Sequence, residues 1–575
     1  MKAKLLILLS LALAIDARAG SAMWNVNPAS DDWNRAANWM PHTVPNGPTD
    51  TATFPNSNTA NPVIHSSVEL DALVFGDSTL TAFTIVAGEA GGQEVASLTL
   101  SGTGIVNNSD ASVQAVQAAP TLAINGITNV IAFHNSATLA DQEQAFSFLT
   151  ALGGGSTGFV GGEIQFFDNS TVGDAAVEAD KGQNGGGPGH VSFFDNSSAA
   201  EGQIVNIAGN AGSAPGVTMF HDAATAGAAV VTNYSASAAG VEGGTTSFLG
   251  SSTAGDSVIF AFGGIAANAG GGTVIFSDTS SAGNAILDGN SGTNGGISGS
   301  FQLLADSTGG TALILGDGDL VISDHNPPGI TIGSIDGGGN VFLGSNELTV
   351  GSANLSKTFF GVIQGSGSLA KIGTGSLTLT GSNTYSGGTT VRRGRLVVNN
   401  VDGSGTGSGA VRVNAGVLAG RGTIAGAVTV GTGSGAGAAV APGKSPRKTG
   451  TLTIQNTLTF QLDSTYKFEL KAASVTADKV VANGVTINSG ALFSFIALDT
   501  GALTQGTVFT AIDNIAATLI SGTFSNLPDG AILNVNGNNF QASYEGGDGQ
   551  AFSLRGAAII FACSARSTKC RPRFD

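Results

Sequence analysis

Residues 167–171 read Phe167-Asp168-Asn169-Ser170-Thr171, and the phrase returns as Phe194-Asp195-Asn196-Ser197-Ser198 and Phe220-His221-Asp222-Ala223-Ala224. It continues as Phe248-Leu249-Gly250-Ser251-Ser252, Phe276-Ser277-Asp278-Thr279-Ser280 and Leu304-Ala305-Asp306-Ser307-Thr308. Counted from the first residue of each, the steps are 27, 26, 28, 28 and 28, and Phe133-His134-Asn135-Ser136 precedes the series by 34. Before each phrase come a Gly-rich break and a short alternating strand, as in Gly271-Gly272-Thr273-Val274-Ile275-Phe276. After it come a small-residue turn and a second apolar strand, as in Gly283-Asn284-Ala285-Ile286-Leu287. Alternation bounded by Gly, Asn, Asp and Ser marks strands, and a fixed period of this length marks stacked supersecondary units. One such unit cannot bury its apolar face alone; stacking pairs its backbone with the next coil at about 4.8 Å and builds a continuous interior. The spacing therefore predicts an all-β chain folded as a right-handed parallel β-helix (a solenoid), with stacked core Phe rings and Gly or Asn relieving positive φ at corners. An array of β-sandwiches would need regular hairpin turns instead. A carbohydrate-stacking platform would need the rings to face outward.

Composition supports this reading. Of 575 residues 87 are Gly, and charged residues make up only 11%. The 23 Lys and Arg against 40 Asp and Glu give a net charge of −17, which excludes a nucleic-acid binder built on basic stripes. The glycines have no G-X-Y period, so the chain is not collagen. At 41% hydrophobic it is too apolar for simple disorder. Two cysteines support neither a disulfide-stapled scaffold nor a multi-cysteine zinc protein. At the N-terminus Lys2 and Lys4 precede an apolar run at 5–15 and the small-residue site Ala17-Arg18-Ala19, the pattern of a signal peptide over residues 1–19. The run is too short to span a bilayer.

A second stretch is more specific. It reads Gly365-Ser366-Gly367-Ser368-Leu369-Ala370-Lys371-Ile372-Gly373-Thr374-Gly375-Ser376-Leu377-Thr378-Leu379-Thr380-Gly381-Ser382-Asn383-Thr384-Tyr385-Ser386-Gly387-Gly388-Thr389-Thr390-Val391, and runs on through Gly394 and Leu396. This segment, 365–396, resembles the autotransporter-associated β-strand repeat, a part of the passenger β-helix of exported surface proteins in Gram-negative-type bacteria. The resemblance implies that its residues determine the fold and carry no catalysis. Leu369, Leu377, Leu379, Val391 and Leu396 alternate inward, while Gly381-Ser382-Asn383 and Gly387-Gly388 turn corners. Tyr385 is expected to cover the core at a corner with its hydroxyl in water. The stretch from Trp24 to Phe54, with Trp33-Asn34, Asn38-Trp39, Pro45-Asn46 and Asp50, resembles the opening module of secreted proteins with such repeats, and implies an N-terminal cap. Ala441-Pro442-Gly443-Lys444-Ser445-Pro446 resembles the turn that follows these repeats, and Tyr544-Glu545-Gly546-Gly547-Asp548-Gly549 the end of their last β module. The 179 residues after Leu396 are not expected to form the barrel that ends an autotransporter.

The expected order is a signal peptide at 1–19, an N-terminal β cap with first coils at 20–130, and coils of about 27 residues at 131–315. Further β-helix follows at 316–455, then a C-terminal β module at 456–550 and a basic tail at 551–575. That tail carries Arg555, Arg566, Lys569, Arg571 and Arg573 beside Cys563 and Cys570, which an exported chain can oxidise into a small loop.

Chemistry is sparse. Asp168, Asp195, Asp222, Asp278 and Asp306 recur at comparable positions and read as turn residues whose side chains bond the backbone two positions on. Stacked carboxylates also offer weak calcium ligation or, if they converge with bases, catalysis. Gly546-Gly547-Asp548-Gly549-Gln550 is a single partial copy of a calcium-binding nonapeptide. His42, His65, His134, His190, His221 and His325 have no metal-ligand spacing, and no G-x-S-x-G, H-E-x-x-H or phosphate loop occurs. No catalytic or cofactor-binding residue is assigned, and no cofactor is expected; metal ligation stays open. The expected function is that of an exported, non-enzymatic surface protein, in adhesion or envelope structure. Its expected partner is a surface polysaccharide or a ligand on a host or neighbouring cell, with no nucleic acid and no transmembrane span in the mature chain; the oligomeric state stays open. The rivals are a carbohydrate-active β-helix enzyme, a polysaccharide lyase or hydrolase, and a calcium-dependent surface-layer component.

Overall fold

Four-residue strands with every second side chain buried recur through the chain, as the alternation of small and apolar residues dictates. The computed structural model describes residues 20–562 and 571–573, apart from 78, 91, 93–94, 110–113, 123–127, 142–147, 436, 547–548 and 558–559. The signal peptide, Cys563, Cys570, Arg566, Lys569 and the Gly547-Asp548 pair lie outside the described residues. Among the described residues helix is confined to two single 3-10 turns, Ala36–Asn38 and Ala472–Ser474. The chain divides into two compact units, 1–202 and 203–575.

In the first unit, parallel strands Gly47–Phe54, Val68–Phe75, Ser97–Asn107, Val130–Phe133, Glu163–Phe166 and His190–Phe193 pair in sequence order. A second parallel sheet runs Val63–Ile64, Thr84–Ala87, Ala115–Ala118, Phe148–Ala151 and Ala176–Ala179. Each chain excursion thus contributes one strand to each sheet, which is the wiring of a parallel β-helix. Ala22–Trp24 extends the first sheet and pairs antiparallel with the two-residue strand Trp39–Met40, so that edge is very short. Trp24, Trp33 and Trp39 are fully buried there, with Trp33 and Trp39 ring centroids 4.7 Å apart and edge to face. Buried Asn38 ties the module together: its Oδ1 accepts the N–H of Ala29 and of Ser30, and its amide donates to the carbonyl of Asp32.

The second unit repeats the pattern. Val217–Phe220, Thr245–Phe248, Thr273–Phe276, Ser300–Leu303 and Asp319–Val321 form one parallel sheet. Gln203–Asn206, Val230–Asn233, Val258–Ala261, Ile286–Gly289 and Gly309–Gly316 begin another, which continues through Ser368–Lys371 and Thr389–Val391. From Lys357–Phe359 onward a third ladder joins them. The coil period shortens here: Leu348, Leu369, Thr389 and Val411 stand in register, 21, 20 and 22 residues apart. The coils of this segment carry shorter turns, and a spacing of 27 returns later, between Leu458 and Val485. Toward the end Val508–Asn514, Ala551–Gly556, Asn538–Gly546 and Ile532–Val535 pair antiparallel.

At Phe167, Phe194 and Leu304 the core position falls one residue earlier than the phrase as spelled, while Phe133, Phe220, Phe248 and Phe276 are themselves core rings. Phe133, Phe166 and Phe193 stack in the first unit with centroids 4.7 Å apart, and Phe220, Phe248 and Phe276 stack at 4.8 and 4.7 Å in the second, with Leu303 next in register. Where Phe is doubled, strand alternation buries Phe166 and Phe193 and leaves Phe167 and Phe194 half-exposed. These outer rings form a second stack, His134–Phe167 at 4.6 Å and Phe167–Phe194 at 4.9 Å.

Two polar networks lie inside the second unit. Asn206 Nδ2 donates to Asn233 Oδ1 and Thr246 Oγ1, both at 2.9 Å, and Thr218 Oγ1 donates to Asn206 Oδ1 at 2.7 Å. All four side chains are fully buried and satisfied, the condition on which a polar core is tolerated. The second network holds the loop after Pro442. Asp478 accepts the N–H of Gly450 and of Glu469, both at 3.0 Å, and Glu469 accepts the N–H of Arg447. Burial, helped by the nearby Glu469 carboxylate and opposed by those hydrogen bonds and by Arg395, pushes the Asp478 carboxyl up to about 7.

Candidate ligand groove

The recurrent aspartates are turn residues, but their hydrogen bonds run between coils. Asp168, Asp195, Asp222 and Asp278 adopt φ of 57, 54, 51 and 54°, the left-handed region that Asp tolerates better than most residues. The Asp168 carboxylate accepts the N–H of Asn135 at 2.9 Å, Asp195 that of Asp168 at 3.1 Å, and Asp278 that of Gly250 at 2.9 Å. The bond two positions on, expected from isolated turns, gives way to this one because the stacked coil presents its amide to the carboxylate. Asp306 departs from the series: Ala305 takes the left-handed position, and Asp306 instead accepts from the Asn326 amide at 3.0 Å.

The histidines are dispersed. His134 stacks on Phe167, and His325 bridges the carbonyls of Asn326 and Ser307. Burial pushes the His190 imidazole below its ordinary range, partly countered by Glu163. Among the described residues, no group of three or more His, Cys, Asp or Glu is placed to hold a metal ion.

A concavity lies elsewhere, in the second unit. One residue follows each strand of the sheet that begins at Gln203–Asn206: Ile207, Tyr234, Phe262, Asn290 and Asp317. Their backbone amides bond the coil before, Phe262 N–H to Asn233, Asn290 N–H to Ala261 and Asp317 N–H to Gly289, which sets the side chains one above another. Tyr234 and Phe262 stack with centroids 5.8 Å apart and planes 29° from parallel. The position then falls from aromatic to short polar side chains, and the step leaves an open groove of about 540 Å³. Tyr234 (46% exposed), Phe262 and Ile265 (54% exposed) form its apolar wall, and Asn290, Thr293 and Asp317 its polar one.

The floor is close-packed backbone. A Cβ on Gly263 would stand 2.2 Å from the carbonyl oxygen of Ser291, so only Gly lets the loops of neighbouring coils approach here. The loops hold each other: Ile265 N–H donates to Ala236 O, Thr293 N–H to Gly264 O, and the Asn294 amide to Ile265 O. Asp317 is fixed by accepting the Gly338 N–H at 2.8 Å. Beside the groove, Asp288 lies in register between Phe260 and Leu315, and burial followed by the negative charge of Asp317 raises its carboxyl above the usual range. Among the described residues no basic side chain lines the groove.

None of Tyr234, Phe262, Asn290 and Asp317 was singled out from the sequence. Their spacing of 28, 28 and 27 residues matches the phrase, and aligning the coils on their second strand exposes it.

The repeat at 365–396 buries the residues that the sequence turned inward. Leu369, Leu377, Leu379, Val391 and Leu396 are all buried. Tyr385 departs from expectation. It is fully buried, and its hydroxyl bonds Thr389 Oγ1, which the tight Gly387-Gly388 corner brings within reach; burial pushes its pKa well up. Asn383 does more than turn a corner, accepting the Ile363 N–H and donating to Gly405 O, both at 2.7 Å, and so stapling the coil before to the coil after.

No curated protein matches the chain. The family model of the passenger-associated-transport-repeat matches residues 369–398, just over one coil of the second unit. That repeat implies an exported, cell-surface protein, and among the described residues no helix is long and apolar enough to cross a membrane. Within its β-helix the chain thus carries, at residues 369–398, a passenger-associated-transport-repeat.

Proposed function

We propose that this chain works as an exported passenger at the bacterial surface, non-enzymatically, in adhesion or envelope structure. The observation that carries the reading is the passenger repeat at 369–398, lying in register with the coils around it. A stack of similar coils offers many equivalent surface positions, and ligand contacts that are weak singly gain by repetition. Treating intact cells with an external protease is the direct test. The chain is expected to be degraded while a cytoplasmic marker survives, or else to be recovered from the medium. Recovery only inside intact, protease-treated cells would overturn the reading.

One observation favours a second reading, a carbohydrate-active enzyme. Asp317 lines the groove and Asp288 stands beside it, and burial together with the charge of Asp317 raises the Asp288 carboxyl, the direction a general acid requires. Turnover of a polysaccharide that vanishes on Asp288→Asn would establish it.

A further inference from the structure

We infer that the groove at Tyr234, Phe262, Asn290 and Asp317 is a binding site for a neutral, hydroxyl-rich saccharide chain. The inference rests on the reading of the chain as a surface protein and names the ligand chemistry of one site on it. Three observations converge. First, the Tyr234–Phe262 stack ends at Phe262, because Asn290 follows in the next coil in place of a third ring. Rings that stack along the coil direction cover each other's faces, so the last ring keeps a face for a ligand. Sugar rings present an apolar C–H face to such a surface. Second, the opposite wall carries Asn290, Ser291 and Thr293, which supply both donors and acceptors for hydroxyl groups. Third, the charge at the site is negative: Asp317 lines it, Asp288 stands beside it, and no basic side chain is present among the described residues. A uronate, a sialylated or a phosphorylated chain would bring like charge against Asp317, whereas the hydroxyls of a neutral glycan can donate to its carboxylate. The volume of about 540 Å³ falls within the range of about 300–1,000 Å³ typical of small-ligand sites. Openness along the coil surface suits a segment of a longer chain.

The test uses the full chain with defined probes: neutral hexasaccharides of glucose, mannose and N-acetylglucosamine, and an oligogalacturonate of the same length as the acidic counterpart. Binding is read by titration calorimetry. Saturable binding of at least one neutral hexamer is expected, with oligogalacturonate bound about tenfold more weakly or not at all. Phe262→Ala is expected to weaken the neutral ligand by about tenfold or more. Because Phe262 also packs against its neighbours, Asn290→Phe is the companion variant. It extends the aromatic ladder by one ring, fills the step, and is expected to abolish binding while the melting temperature stays unchanged or rises. Asp317→Asn is expected to narrow the gap between neutral and acidic probes. The inference is overturned if no neutral hexamer binds saturably, if Asn290→Phe binds as the parent does, or if oligogalacturonate binds as tightly as the neutral chains. Protease accessibility on cells is independent of these titrations, so failure here leaves the surface location standing, and failure there leaves the groove chemistry standing.

Discussion

Asp278 joins two demands in one side chain. Its backbone sits at φ 54°, and its carboxylate accepts the Gly250 N–H of the coil before at 2.9 Å. Asn meets both demands, Gly meets the first alone, and Ala meets neither. Placing a Cβ-bearing residue without a local hydrogen bond in the left-handed region costs about 1–2 kcal/mol, and the lost acceptor at an exposed turn costs about 0.5–1 kcal/mol more. Chemical unfolding is therefore expected to rank the variants Asp278→Asn closest to the parent, Asp278→Gly intermediate and Asp278→Ala worst, the last by about 2 kcal/mol. An Ala variant as stable as the Asn variant would show that neither demand matters. The same logic explains Gly250 at this position in the neighbouring coil, where φ is 63°.

Among the elements, what matters is how closely one coil can lie on the next. Gly272 shows the limit: a Cβ there would stand 2.4 Å from the carbonyl oxygen of Asn233 and 2.8 Å from its Cβ, both fixed in the core network. Gly155 is the contrast, with nothing within 4 Å of the same added atom. Gly272→Ala must push two coils apart or tilt a strand and is expected to cost about 2 kcal/mol or more, within the range for overpacking. Gly155→Ala is expected to be neutral or to stabilise by up to about 1 kcal/mol through the unfolded chain. Equal effects of the two in urea unfolding would refute this account of the glycines. The contrast also shows what the sequence could reveal. The β-helix was legible because each coil must repeat the same solution, so Phe, Asp and Gly recur at a fixed period. The register slipped by one residue where Phe166-Phe167 and Phe193-Phe194 offered two equal candidates, since either ring satisfies the spacing and only strand alternation chooses. The shorter coils after Thr308 lack the phrase that marked the earlier ones. The groove was harder still, because it is a break in a ladder: Asn290 and Asp317 matter for the ring that is missing there.

For the whole molecule, acid groups set the response to pH. With 40 Asp and Glu against 23 Lys and Arg, rising pH adds repulsion as the acids ionise. Asp478 works in the same direction from inside. Its folded pKa, about 7, lies above the ordinary value of 3.8, and burial is the main cause. Between those values the folded chain holds a proton that the unfolded chain has released. The contribution is therefore fully present below pH 3.8 and is lost as pH rises through about 7. Asp478→Asn cannot ionise, and its amide can satisfy only one of the two N–H groups, from Gly450 and Glu469, that Asp478 now satisfies. Its penalty from that lost bond is the same at every pH, while the parent loses stability on ionising. The gap between parent and variant, measured as unfolding free energy in guanidinium at pH 5 and at pH 7.5, is thus expected to shrink by at least ~1 kcal/mol at the higher pH. A gap that stays constant or widens would show that Asp478 ionises as an ordinary carboxylate. The loop between Pro442 and Thr451 is where the loss should be felt first, since Asp478 and Glu469 hold its Gly450 and Arg447 amides. Amide exchange at Gly450 is expected to accelerate between the two pH values by more than the intrinsic base-catalysed rise in the parent, and by no more than that rise in Asp478→Asn.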